Sequence, residues 1–113
     1  MKVIIAGSRN IKSFSIVKSA VDESKFIISE VVSGRAEGVD YLGEQWAIKN
    51  GVQIAKFPAD WNTHGKAAGH IRNKQMADYA DALVAVWDGS SRGTKNMIDN
   101  MKKLNKLVFV KII

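Results

Sequence analysis

Residues 82–94 read ALVAVWDGSSRGT, and the fold follows from how this stretch divides. Ala82 to Trp87 is an apolar run with no polar alternation, the pattern of a strand buried on both faces. Asp88 to Thr94 then packs two glycines, three hydroxyls and an arginine into a short loop. Met97, Ile98, Met101 and Leu104 follow at helical spacing, which predicts a helix over 92–105. Strand, glycine-rich loop and helix in that order form half of a parallel crossover unit.

The same unit recurs outward in both directions. KVIIA (2–6) is a β-branched run ended by Gly7 and reads as the first strand. Phe14, Val17, Ala20 and Val21 predict a helix over 13–25, with Ser13 in the N-cap position. FIISEVVS (26–33) is the second strand. A helix over 38–50 carries Val39, Leu42, Trp46 and Ala47 on one stripe, with Gly51 as its stop. VQIAKF (52–57) is the third strand, closed by Pro58, and residues 59–66 read as a polar loop. A helix over 67–79 precedes the opening stretch, and LVFVKII (107–113) is the fifth strand. Strict alternation of five strands and four helices predicts one α/β domain over 1–113, a Rossmann-like three-layer sandwich. Right-handed crossovers favour the strand order 3-2-1-4-5.

Composition narrows the class. The chain has 113 residues, 46% hydrophobic and 25% charged, as expected of a single globular domain. It has no cysteine, which excludes disulfides and thiolate chemistry. The apolar run Val3 to Ala6 is too short for a signal peptide or a membrane span, so a cytoplasmic protein is expected, with no membrane partner. The net charge is +6, but Lys102, Lys103, Lys106 and Lys111 supply much of it and read as a solvated terminal face. No basic stripe with interleaved aromatics is present, which makes nucleic acid the less favoured partner.

In a doubly wound sheet, ligands bind beyond the carboxyl ends of the strands where the winding reverses. That places the loops after strands 1, 2 and 4 at the site. The first holds Gly7, Ser8 and Arg9. The second holds Ser33, Gly34, Arg35, Gly38 and Asp40, with the amides of a helix N-terminus available to an anion. Asp40 is read either as a ribose-hydroxyl acceptor or as a complement to the helix dipole. The third holds Asp88, Gly89, Ser91, Arg92, Gly93 and Thr94, a phosphate cradle by composition without the GK[ST] ending of a P-loop. Of the four arginines, Arg9, Arg35 and Arg92 fall in these loops and Arg72 lies near the start of the helix over 67–79, whereas the thirteen lysines are scattered. A planar guanidinium fork matches phosphate or carboxylate, so an anionic ligand is expected; four solvated loop arginines are the alternative.

Several chemistries are disfavoured. No G-x-G-x-x-G follows strand 1 and no acidic residue ends strand 2, which argues against a nicotinamide dehydrogenase. His64, His70 and Asp60 have no metal-ligand spacing, so no metal and no cofactor are expected. Trp61 is read as a base-stacking group or as cover for the sheet edge.

AGSRN (6–10), SGRAEGVD (33–40), FPADW (57–61), GKAAGHIRNKQMADYADALVAVWDG (65–89) and SRGTKNMI (91–98), in this order, resemble the YspA/YpsA-like branch of the SLOG superfamily, named from the Smf/DprA proteins and the LOG cytokinin-activating enzymes. The resemblance spans nearly the whole chain. It implies a Rossmann-like fold whose glycine-rich loops bind nucleotides or nucleotide-derived ligands, in proteins several of which occur beside phage or defence genes. It also implies a homo-oligomer, with a dimer favoured. LOG enzymes cleave the N-glycosidic bond of nucleoside 5′-monophosphates with a PGGxGTxxE loop and an HxRKxxM-like helix. Here His70, Arg72 and Met76 match the helix motif, with Asn73 at the lysine position, and Gly93 and Thr94 match the GT. Met97 stands at the glutamate position, Asp99 is two residues beyond it, no proline precedes the loop, and Arg35 replaces a glycine usual in the family. A thioether can neither carry a proton nor steady an oxocarbenium ion.

The leading expectation is therefore a sensor or carrier of a nucleotide-like ligand. The alternatives are a phosphoribohydrolase using another acid, Asp88 or Asp60, and single-stranded DNA binding of the DprA type.

Overall fold

A computed structural model describes all 113 residues. The elements in chain order are β1 (Lys2–Gly7), α1 (Phe14–Ser24), β2 (Glu30–Ser33), α2 (Val39–Lys49), β3 (Gln53–Lys56), α3 (Trp61–His64), a 3-10 turn (Gly65–Ala67), α4 (Ala68–Tyr79), β4 (Ala82–Trp87), α5 (Arg92–Lys103) and β5 (Leu107–Ile112). The strands form one five-stranded sheet in the order β3-β2-β1-β4-β5, and every neighbouring pair is parallel. Fold class and strand order are as the sequence predicts.

Two apolar layers hold the sheet. Val3 and Ile5 of β1 join Val31, Val84 and Val86 under α1 and α2. Ile4 and Ala6 join Val32, Leu83 and Ala85 on the opposite face, against Met76 and Ala77 of α4 and Met97, Ile98 and Met101 of α5. Successive strand residues point to opposite faces, and both faces here are covered. That is why β1 and β4 lack polar alternation.

The structure corrects three local expectations. The second strand starts at Glu30 rather than at Phe26, because its neighbour β1 begins pairing at Lys2, opposite Glu30. Residues 26–29 thus have no ladder to join; Phe26 and Ile28 still pack on the core, while Ile27 is exposed. The polar loop 59–66 contains α3 and the 3-10 turn, giving five helices rather than four. This short helix has no apolar stripe to reveal it and rests on a cap, with the Asp60 side chain accepting from the Thr63 amide at 3.1 Å. The C-terminal lysines, finally, are not one solvated face. Lys106 donates to the carbonyls of Ala77, Asp78 and Ala80 at 2.7, 3.1 and 2.7 Å, closing the C-terminal end of α4. Lys111 pairs with Glu23 at 2.6 Å. Ser13 does occupy the N-cap of α1, but its hydroxyl bonds Ser15 and caps no amide.

No helix is long and apolar enough to cross a membrane. No group of three or more His, Asp or Glu side chains is placed to hold a metal ion.

Candidate functional site

The winding reverses between β1 and β4, which lie side by side with Gly7 opposite Val86. Their carboxyl ends are tied by two bonds. The Ser8 amide donates to the Val86 carbonyl at 3.1 Å, and the Asp88 amide donates to the Ser8 hydroxyl at 3.0 Å. Ser8 is buried, so its hydroxyl is a structural pin between the two loops. The loop after β2 packs on the same place. Gly38 has φ +73°, and a Cβ there would lie 2.5 Å from the Ser8 and Arg9 carbonyl oxygens. Only glycine allows that backbone to close onto the first loop.

A cavity of about 390 Å³ opens over this junction. Gly7, Ser8, Arg9, Asp40, Arg72, Asn73, Asp88, Ser91, Gly93 and Thr94 line it, all of them expected from the sequence. Asn10, Ala36 and a floor of Ala6, Met76 and Met97 complete it. Asn10 and Ala36 belong to the quoted loops, and Met76 lies one helical turn beyond Arg72, so the chain carried a signal for each. The expected residues divide, however. Gly34 and Arg35 line an adjoining hollow with Arg9 and Arg72. Gly38 and Ser33 lie beneath the loops, and Gly89 and Arg92 point to solvent outside the cavity lining.

Each polar wall has a definite state. Arg72 reaches across from α4, donating through Nη1 to the Gly34 carbonyl and through Nε to Asn73 Oδ1 at 3.0 Å. A Cβ on Gly34 would fall 2.7 Å from Arg72 Nη1 and 2.9 Å from Asp40 Oδ2, so glycine here makes room for both groups. Burial lowers the Arg72 pKa and Asp40 opposes that fall; the guanidinium stays charged. Asn73 is a strut, donating to the Gly93 carbonyl at 3.2 Å and to Asn96 Oδ1 at 3.1 Å. Ser33 and Arg35 are engaged with Glu44, the hydroxyl at 2.6 Å and the guanidinium at 2.6 Å. Arg35 has φ +65°, the left-handed backbone that suits glycine, as expected of a position where the resemblance implies a glycine.

The carboxylates separate sharply. Asp88 Oδ1 accepts the Ser90 and Ser91 amides at 2.9 and 2.8 Å. Those two bonds hold its pKa below the ordinary value, so it is an ionised loop brace rather than a proton donor. Asp60 caps α3, is likewise lowered by its Thr63 bonds, and lies outside both hollows. The two acids expected from the sequence are thus committed to backbone. Asp99 is on the outer side of α5, paired with Lys95 at 2.9 Å. Asp40 differs. It is buried, and burial pushes its carboxyl from 3.8 to about 6; the Ala36 amide at 3.2 Å and the Arg72 and Arg9 charges oppose the rise, while Glu44 adds to it.

That carboxyl also corrects the expectation of an anion site at the start of α2. The Val39 amide is taken by the Ser8 carbonyl at 3.4 Å, and the first turn carries Asp40. The N-terminus of α5 is the open one. Ser91 precedes it without a side-chain cap bond to the helix amides, and Arg92, Gly93 and Thr94 are its first residues, whose N–H groups have no partner within the helix. Together with the helix dipole they favour an anion.

Comparison with known proteins agrees with the fold. Residues 1–64 match the YAcAr family, described as the YspA, cpYpsA-related SLOG family. The Gene 61 protein of Mycobacterium phage D29 is 35% identical across 90% of this chain and 89% of its own. Among solved structures, DNA processing protein A (DprA) from Streptococcus pneumoniae superimposes with a TM-score of 0.77 at 16% identity over 96% of this chain. The chain spans 49% of that protein, and the likeness is one of fold.

Proposed function

Since the chain belongs to the YspA, cpYpsA-related SLOG family, we propose that it binds a phosphate-bearing nucleotide, or a ligand derived from one, as a sensor or carrier. The observation that carries this reading is the convergence of Arg9, Arg72 and the open N-terminus of α5 on one cavity at the carboxyl ends of β1 and β4. Two guanidiniums and free amides provide directional donors for phosphate oxygens. The apolar floor of Ala6, Met76 and Met97 suits the face of a sugar or base. Weak catalysis is expected, because Met97, buried in that floor, stands where the LOG enzymes carry their glutamate.

Thermal melting with nucleoside monophosphates and the matching nucleosides tests this. A ligand that binds only the folded state stabilises it by about 2.7 kcal/mol at a hundredfold excess over Kd. For a domain of this size that is a rise of about 10 °C. A clear rise with a nucleotide and a smaller one with its nucleoside is expected; equal shifts would remove the phosphate anchor from the reading.

One observation favours a second reading, phosphoribohydrolase activity. Asp40 is the cavity carboxyl whose pKa of about 6 keeps a proton within reach at neutral pH. In that case base release from nucleoside monophosphates is detectable in the wild type and lost in Asp40→Asn.

A further inference from the structure

The adjoining hollow, of about 320 Å³, borders the main cavity, and Arg9, Ala36 and Arg72 line both. Its far wall is Pro58, Ala59 and Trp61. Trp61 is unlike the other two tryptophans. Trp46 packs against the core, and Trp87 packs on its other face and donates to the Ser91 carbonyl at 3.0 Å. Trp61 is 54% exposed. Its place is nonetheless defined. It is the first residue of α3, behind the Asp60 cap, and the tip of its ring lies 3.6 Å from where a Cβ on Gly69 would stand. A large ring thus lines the hollow with more than half of the residue's surface exposed.

Building on the nucleotide reading, we propose that the ligand is a two-part nucleotide: two nucleoside units joined through phosphate. One unit occupies the main cavity. The bridging phosphate lies over Arg9 and Arg72, the two cations common to both hollows. The second base stacks on Trp61. Every base has a π-face, so an exposed indole beside guanidiniums recognises the unit without reading its edge. A mononucleotide fills only the main cavity and leaves Trp61 unused.

The test is the ratio of dissociation constants for a mononucleotide and its doubled form, measured by titration calorimetry. Adenosine 5′-monophosphate is compared with P1,P2-di(adenosine-5′) pyrophosphate, and the guanosine pair is run alongside. Wild type is expected to bind at least one doubled form about tenfold or more tighter than its monophosphate, the scale of one base stack. Trp61→Ala should bring that ratio towards one, and Trp61→Phe, which keeps an aromatic face, should restore most of it. Thermal melting of both variants verifies the fold. Equal binding of monophosphate and doubled form, or a ratio untouched by Trp61→Ala, overturns the two-part ligand and leaves the nucleotide reading standing. Failure of both forms to bind takes the nucleotide reading down as well. A twelve-nucleotide single strand provides the last arm. If it binds more tightly than the pyrophosphates, with a steep loss of affinity as salt rises, the ligand is a nucleic-acid strand and the small-molecule proposal is wrong.

Discussion

Asp40 is the residue at which fold stability and the candidate site meet. Its folded pKa of about 6 exceeds its unfolded value of 3.8, so the folded state holds the proton more tightly. Stability from this group is therefore full below about pH 3.8 and is lost as pH rises through about 6. Asp40→Asn mimics the protonated form and keeps an oxygen for the Ala36 amide. Denaturant unfolding at pH 8 should find the variant more stable by up to about 3 kcal/mol, with little difference near pH 4. A variant less stable at pH 8 would mean that the ionised carboxylate is held favourably by Arg72 and Arg9. Sequence patterning could not rank Asp40 above Asp88 and Asp60. All three sit beside glycine- or proline-marked loops, and what separates them is which amides they meet and how much water they lose. The same applies to the arginines, since nothing in a linear pattern tells that Arg35 finds Glu44 while Arg72 remains turned to the cavity.

At the scale of elements, α5 decides whether the site can do chemistry. It presents Thr94 and Met97 to the cavity and Asp99 to the outside, as helical spacing requires. Restoring a carboxylate by Met97→Glu should raise base release from nucleoside monophosphates by about 10- to 100-fold over a weak wild type, below the 10²–10⁴ typical of a positioned acid–base group. The new carboxyl lies in an apolar floor, so the variant should also melt several degrees lower. Paired assays of base release and melting verify this; brisk turnover by the wild type would show that the missing glutamate is no obstacle. Long periodic elements such as α5 were legible in the sequence because burial on one face imposes their period. The start of β2 and the existence of α3 were not, since the first depends on where β1 begins and the second on a single aspartate cap.

Across the whole molecule, the strand order brings Ser8 and Asp88 together over a separation of 80 residues. The family match ends at residue 64, yet that segment lacks β4 and the layer built by α4 and α5. A chain ended after His64 leaves β1 as an apolar edge strand with one face uncovered. It should show no cooperative thermal transition by circular dichroism and no nucleotide binding; a sharp transition with retained binding would mean that the first half is an autonomous unit. The Ser8–Asp88 pin has a further consequence during synthesis. The ribosome releases the first loop long before the fourth strand exists, so the pocket is absent from every nascent chain until its closing third has emerged. A stalled product or a fragment that ends before β4 therefore lacks the cavity, whatever else of the fold it retains.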